Sequence, residues 1–161
     1  MNKPVIKPIK RSAALTPLSR EHHDSLLMAW KIRAGIRRGI SCDRIILYCE
    51  WFYKQHLAQH FETEENCIPS IIGSKDTLFL QMIDEHRTIK QALADLSDRN
   101  AQCYIQLEAF AKLVTDHVRF EERILYNHIE GVATKDQLES LLHIHPVTKR
   151  SEWEDQFWIT N

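Results

Sequence analysis

Glycine and proline are scarce in this 161-residue chain, four and five in all, and long stretches pass without either. That excludes a turn-rich β fold and leaves long helices as the natural reading. No apolar run approaches the ~20 residues needed to span a bilayer. The N-terminus lacks the apolar core of a secretory signal. Neither sign of charge is in excess: the formal net charge is −1 and the sequence pI is about 6.7, which argues against a dedicated nucleic-acid binder. There is no Cys-x-x-Cys pair. Cys42, Cys49, Cys67 and Cys103 lack the spacing of a disulfide framework or zinc knuckle, so mostly buried free thiols in a reducing compartment are expected. These absences point to a cytoplasmic protein with one core, not membrane-bound, and 43% hydrophobic residues suffice to build that core.

What is present is helical periodicity. Residues 1–16, with Lys3, Lys7, Lys10 and Arg11, read as an irregular solvated arm. Thr16-Pro17 looks like a helix start, and a first helix would run to about residue 38 on a stripe of His23, Leu26, Leu27, Trp30 and Ala34. A second would run from Asp43 to Cys67 on Ile45, Cys49, Phe52, His56, His60 and Glu64. A third, capped by Ser74, would present Phe79, Met82, His86, Ile89, Leu93 and Leu96. A fourth, from about Ala101 to Glu130, would turn Phe110, Leu113, Val114, His117, Glu121, Ile124 and Leu125 inward. Thr134 and Gln137 have capping-box spacing for a short fifth helix. Beyond it, Trp153, Phe157 and Trp158 are expected to pack on their own chain. The predicted fold is all-α: an up-down-up-down antiparallel four-helix bundle over residues 17–131, then a short fifth helix and aromatic tail over 132–161.

Nine histidines are many for this length, and two of them open matched stretches, His60-Phe61-Glu62-Thr63-Glu64 and His117-Val118-Arg119-Phe120-Glu121. Positions i and i+4 of a helix share a face, so each stretch sets an imidazole beside a carboxylate. In an antiparallel bundle, the start of helices 1 and 3 meets the end of helices 2 and 4. His23, His86, His60, Glu64, His117 and Glu121 then fall toward one end of one core. A single inward His is ordinarily a hydrogen-bonded core residue. One on each of four helices, with Glu on two, points to a metal site, because two carboxylates in one apolar layer repel unless a cation lies between them. Mixed His and carboxylate ligands on facing helices suit non-haem iron or manganese.

From about Leu18 to Glu130 the chain resembles the hemerythrin-like HHE cation-binding family. The resemblance rests on Leu18-Ser19-Arg20-Glu21-His22-His23, His60-Phe61-Glu62-Thr63-Glu64-Glu65 with Pro69, Glu85-His86-Arg87-Thr88-Ile89, and His117-Val118-Arg119-Phe120-Glu121-Glu122, in that order. It implies two non-haem irons, with manganese or zinc as substitutes, joined by an oxo or hydroxo bridge. Glu64 and Glu121 would bridge them, with His23, His60, His86 and His117 as terminal ligands. His22 competes with His23, which is preferred because it shares the stripe of Leu26, Leu27 and Trp30. Where the family's oxygen carriers have a second His on helix 3, this chain has Lys90, and Glu121 replaces an Asp one residue further along. About two of about twelve coordination positions would then stay open. His56 is the alternative fifth ligand, or a hydrogen-bond donor behind the ligands. His128 is expected at the rim.

The function implied is binding or sensing of O2, NO or redox state. The alternatives are a di-iron enzyme consuming peroxide, NO or O2, and a regulatory domain that the metal stabilises. The partner expected is a small diatomic ligand rather than a nucleic acid or membrane; a homodimer is compatible with the sequence.

Overall fold

The computed structural model describes residues 9–96, 101–144 and 151–160. Lys3, Lys7, residues 97–100, His145 and Pro146 lie outside them. The described residues form helices and no strand. Helix α1 covers Thr16–Arg37 and α2 covers Cys42–Phe52. A π-helical turn, Tyr53–Leu57, leads into α3, Ala58–Cys67. A short α4, Pro69–Ile72, ends at Gly73, whose φ of 92° admits glycine without strain. Helix α5 spans Thr77–Leu96 and α6 spans Cys103–Phe120. A second π turn, Glu121–Leu125, continues into α7, Tyr126–Val132, and α8 is Lys135–Leu141. No described helix is long and apolar enough to cross a membrane.

Helix α1 packs on α2 and α6, and α5 packs on α6 and α2. The core they enclose has two apolar parts. One gathers Met28, Ile32, Ile45, Phe52, Ile89 and Phe110. The other gathers Leu15, Leu18, Met82, Phe120, Leu125 and Tyr126. Along each helix a buried polar residue falls between members of the two: His22 between Leu18 and Met28, His86 between Met82 and Ile89, His117 between Val114 and Phe120. A polar layer is therefore sealed above and below by hydrocarbon.

Helix α5 follows its predicted stripe, with Phe79, Met82, His86, Ile89 and Leu96 all buried. Its start is set by Asp76 rather than Ser74, since the Asp76 carboxylate accepts from the Leu78 and Phe79 N–H groups. The capping box of Thr134 and Gln137 is present. Helix α1 departs from expectation. Its buried side carries Leu18, His22, Ser25, Ala29 and Ile32, while Leu26, Leu27 and Trp30 are 39%, 40% and 49% exposed. The bulkier stripe read as the core face, but it is the side with small residues that is buried against the neighbouring helices.

The two π turns shift the other stripes. Bonding from i to i+5 inserts one residue into a helical turn. The inward face of α2 therefore runs from Phe52 to Leu57, not to His56, before resuming at His60, Phe61 and Glu64. In the same way Glu121 is followed inward by Leu125 and Tyr126, and Ile124 is turned outward, 51% exposed.

The thiols also differ from expectation. Cys42 and Cys103, the first residues of α2 and α6, form a disulfide across 61 positions, leaving Cys49 and Cys67 as buried free thiols. Closing so long a loop restricts the unfolded chain, so Cys42→Ser is expected to lower the free energy of unfolding by about 2–4 kcal/mol. Urea denaturation of the oxidised protein and the variant measures this; equal midpoints would show that the bond contributes nothing.

Candidate metal centre

Six buried side chains meet in the polar layer: His22 from α1, His60 and Glu64 from α3, His86 from α5, His117 from α6 and Glu121 from the π turn after it. They form two groups able to hold a cation, His22, His60, Glu64 and Glu121 in one, and His86, His117, Glu64 and Glu121 in the other. Both carboxylates belong to both groups. Glu121 turns Oε2 to His22 Nε2 at 2.8 Å and Oε1 to His117 Nε2 at 3.0 Å. Glu64 sets Oε1 3.4 Å from His60 Nε2 and Oε2 3.3 Å from His86 Nε2. Each carboxylate thus offers one oxygen to each pair of imidazoles.

Behind the imidazoles stands a ring of four more glutamates. His60 Nδ1 donates to Glu21 at 2.7 Å, His86 Nδ1 to Glu65 at 2.8 Å, His117 Nδ1 to Glu85 at 2.8 Å and His22 Nδ1 to Glu122 at 2.6 Å. Every one of these glutamates is adjacent in sequence to a residue of the inner six, yet each serves the histidine of a different helix. Glu21 on α1 holds α3, Glu65 on α3 holds α5, Glu85 on α5 holds α6, and Glu122 after α6 holds α1. The contacts close into a circle. Arg11 pins the last of them: its guanidinium pairs with Glu122 at 3.1 Å, donates to the Glu122 carbonyl, and reaches Glu130 at 3.1 Å. The N-terminal arm, expected to be solvated, is tied down at this point.

Donation from Nδ1 leaves Nε2 of a neutral ring as a lone-pair acceptor. The inner layer then holds four nitrogen lone pairs and two carboxylates, with Tyr126 as its hydroxyl donor, 2.6 Å from Glu64 Oε1. Glu64 Oε2, both Glu121 oxygens, and Nε2 of His86 and His117 are buried without a hydrogen bond among the described residues. His22 Nε2 and His60 Nε2 stand 3.0 Å apart, the spacing of two nitrogens at neighbouring corners of a coordination sphere with bonds of about 2.1 Å. Acceptors that converge without donors fit a bound cation.

Without a cation, protons must take its place. Burial opposes a charge on His117, but the adjoining Glu121 outweighs it and pushes the imidazole up to about 10. His22, His60 and His86 are likewise raised against burial by the carboxylates facing them. Burial and Glu121 push Glu64 up, and the His60 and His86 rings more than offset them, holding it at about 2. Glu121 is held well below the usual range against burial, chiefly by His117.

A family model described as the hemerythrin HHE cation-binding domain matches residues 14–129. The chain belongs to this family. No curated protein and no solved structure matches it.

Within this hemerythrin-like domain, the preference for His23 over His22 is corrected. His22 is 2% exposed in the layer, and His23 faces solvent, because the buried side of α1 is the one with Ser25 and Ala29. His56 is also outside the layer. The π turn rotates it away, and it stacks on Phe52 with ring centres 4.4 Å apart. His128 sits at the surface, 3.5 Å from Asp76. The structure brings together His60, Glu64, His86, His117 and Glu121. Sequence reasoning missed Glu21, Glu65, Glu85, Glu122, Arg11 and Tyr126. The four glutamates had a signal, the repeated Glu-His and Glu-Glu doublets. Tyr126 had none at helical spacing, since it follows Glu121 by five.

Two predictions follow from this geometry. His22→Ala is expected to weaken metal binding by more than about tenfold, and Glu122→Gln by about 10–100-fold, while His23→Ala leaves it unchanged; competition with a chelator of known affinity measures all three. In the metal-free protein, His117 is raised from 6.5 to about 10, so its contribution is complete below pH 6.5 and is lost as pH rises to about 10. Glu64 is lowered from 4.5 to about 2, so its contribution is complete above pH 4.5 and is lost on acidification. Metal-free stability should therefore be greatest between about pH 4.5 and 6.5. Denaturant unfolding across pH tests this, and stability that rises from pH 7 to 9 would refute it.

Proposed function

We propose that this domain is a non-haem di-iron protein that binds O2 or NO, or reads redox state, through a carboxylate-bridged pair of irons. The observation that carries the reading is the sharing of Glu64 and Glu121 between two imidazole pairs, one oxygen to each. Bound iron would supply the redox change and the exchangeable position for a diatomic ligand. Manganese and zinc suit the same mixed donors.

The chain's own residues do the rest. The outer glutamates fix each imidazole's tautomer and direction. Tyr126 donates to Glu64 and lies over His22, ring centres 5.3 Å apart, so it holds both the carboxylate and the ring. Phe61 stacks on His86 at 3.8 Å and meets His117 edge-on, which keeps water from one side of the layer. The two donor sets are equal, two imidazoles and two shared carboxylates each. With His56 turned away, no fifth imidazole among the described residues would distinguish one donor set from the other. Two ions held by these sets would each keep exchangeable positions, which favours a sensing or responding centre over a reversible carrier. The circle of Glu–His contacts, each helical run holding the next and the last holding the first, supports the up-down-up-down bundle.

Anaerobic reconstitution with ferrous iron is expected to load about two irons per chain and to give near-ultraviolet absorption that changes on adding O2 or NO. Glu64→Ala and Glu121→Ala should each abolish both. Protein that stays colourless and metal-free under these conditions overturns the reading.

A further inference from the structure

The two donor sets match residue for residue but not atom for atom. In the set of His86 and His117, every inward atom is buried without a hydrogen bond among the described residues: both Nε2 atoms, Glu64 Oε2 and Glu121 Oε1. In the set of His22 and His60 that holds for Glu121 Oε2 alone. His22 Nε2 and His60 Nε2 lie 3.0 Å from each other, and Glu64 Oε1 accepts the Tyr126 hydroxyl at 2.6 Å. The same hydroxyl is 3.5 Å from His22 Nε2. Tyr126 is fully buried, so water does not compete for its proton.

Resting on the di-iron reading above, we propose that Tyr126 makes the two positions unequal, so that the first divalent cation enters between His86 and His117 and the position at His22 and His60 fills second and more weakly. A cation in the first set meets four acceptors that have no donor, and satisfies them all. A cation in the second must share Glu64 Oε1 with a hydroxyl proton already bonded to it, and a hydroxyl-to-carboxylate bond of this length is of the strong, charge-assisted kind. The outer glutamates add to the difference. Glu122, behind His22, also accepts from Ser19 at 2.7 Å and pairs with the buried Arg11, so less of its charge is left to strengthen His22 as a ligand. Glu65, behind His86, meets Lys90 only at 3.8 Å, and that side chain is 46% exposed, where water and salt screen it. Glu85, behind His117, accepts from the neutral Gln81 amide.

Calorimetric titration of the full-length, metal-free protein with zinc tests the order. Two cations sharing carboxylates repel each other, so two unequal steps arise even at equal positions, and site-directed variants are needed to tell the positions apart. His22→Ala should weaken overall binding through the weaker step and keep the tighter one. His86→Ala should lose the tighter step and leave one ion, bound about tenfold more weakly. Tyr126→Phe keeps the ring over His22 and removes the hydroxyl. Glu64 Oε1 is then without its donor until a cation arrives, so the second step should tighten about tenfold, a gain that a damaged fold would not give. Loss of the tighter step in His22→Ala, equal effects of His22→Ala and His86→Ala, or a second step left unchanged or weaker by Tyr126→Phe overturns the order and leaves the di-iron reading standing. Protein that binds neither zinc nor iron overturns both.

Discussion

Two carboxylates, Glu64 and Glu121, sit fully buried in one layer of an apolar core, and the rest of the bundle is arranged to make that tolerable. Neither is near solvent, and each raises the cost of charging the other. Four imidazoles face them, but imidazoles alone do not solve the problem. Neutral rings whose Nδ1 protons point outward bring more lone pairs into the layer. What enters must be positive, whether protons on the rings or metal cations between the groups. Positive charge in the layer is in this sense a condition of its packing, and a metal cation is one way to supply it.

The outer glutamates make the condition strict. Had the rings been free to turn, either nitrogen could face inward and the layer could rearrange into ordinary hydrogen bonds. Glu21, Glu65, Glu85 and Glu122 remove that freedom by holding every Nδ1. Each acts across a helix boundary, so the ring also fastens neighbouring helices at the level where hydrocarbon contacts are interrupted. Arg11 extends the fastening to the arm before α1. The chain economises on sequence here: a doublet places one glutamate on the inner face and its neighbour at the seam with the next helix.

How much of this was legible in the sequence depended on whether a helix kept its period. Helix α5 keeps it, and every predicted core position from Phe79 to Leu96 that is fully buried lies on the expected stripe. The runs from Cys42 to Cys67 and from Cys103 to Val132 each contain a π turn, which no residue spacing announces. At each turn a stripe drawn at threes and fours misplaces one residue, so His56 was read inward in place of Leu57 and Ile124 was read inward while Tyr126 was missed, although His60, Glu64 and Leu125 lie as expected. Helix α1 failed for another reason. Hydropathy favours the face with the larger apolar residues, whereas Ser25 and Ala29 are the residues buried among the neighbouring helices. The disulfide was illegible because it joins the starts of two helices brought together only by the tertiary fold.

Charge counting gives the layer a further property. Glu21, Glu64, Glu65, Glu85, Glu121 and Glu122 carry six negative charges when ionised, and four imidazoles are available to them. Protonating all four, the direction in which their carboxylate neighbours push them, leaves a net charge of about −2. Two divalent cations with neutral rings leave the same value. If two such cations were to replace four protons, the exchange would change where charge lies in the layer but not how much there is, and the apolar parts above and below would see the same total in both states. In either state the outer carboxylates, each bonded to an imidazole Nδ1, would keep the rings directed into the layer.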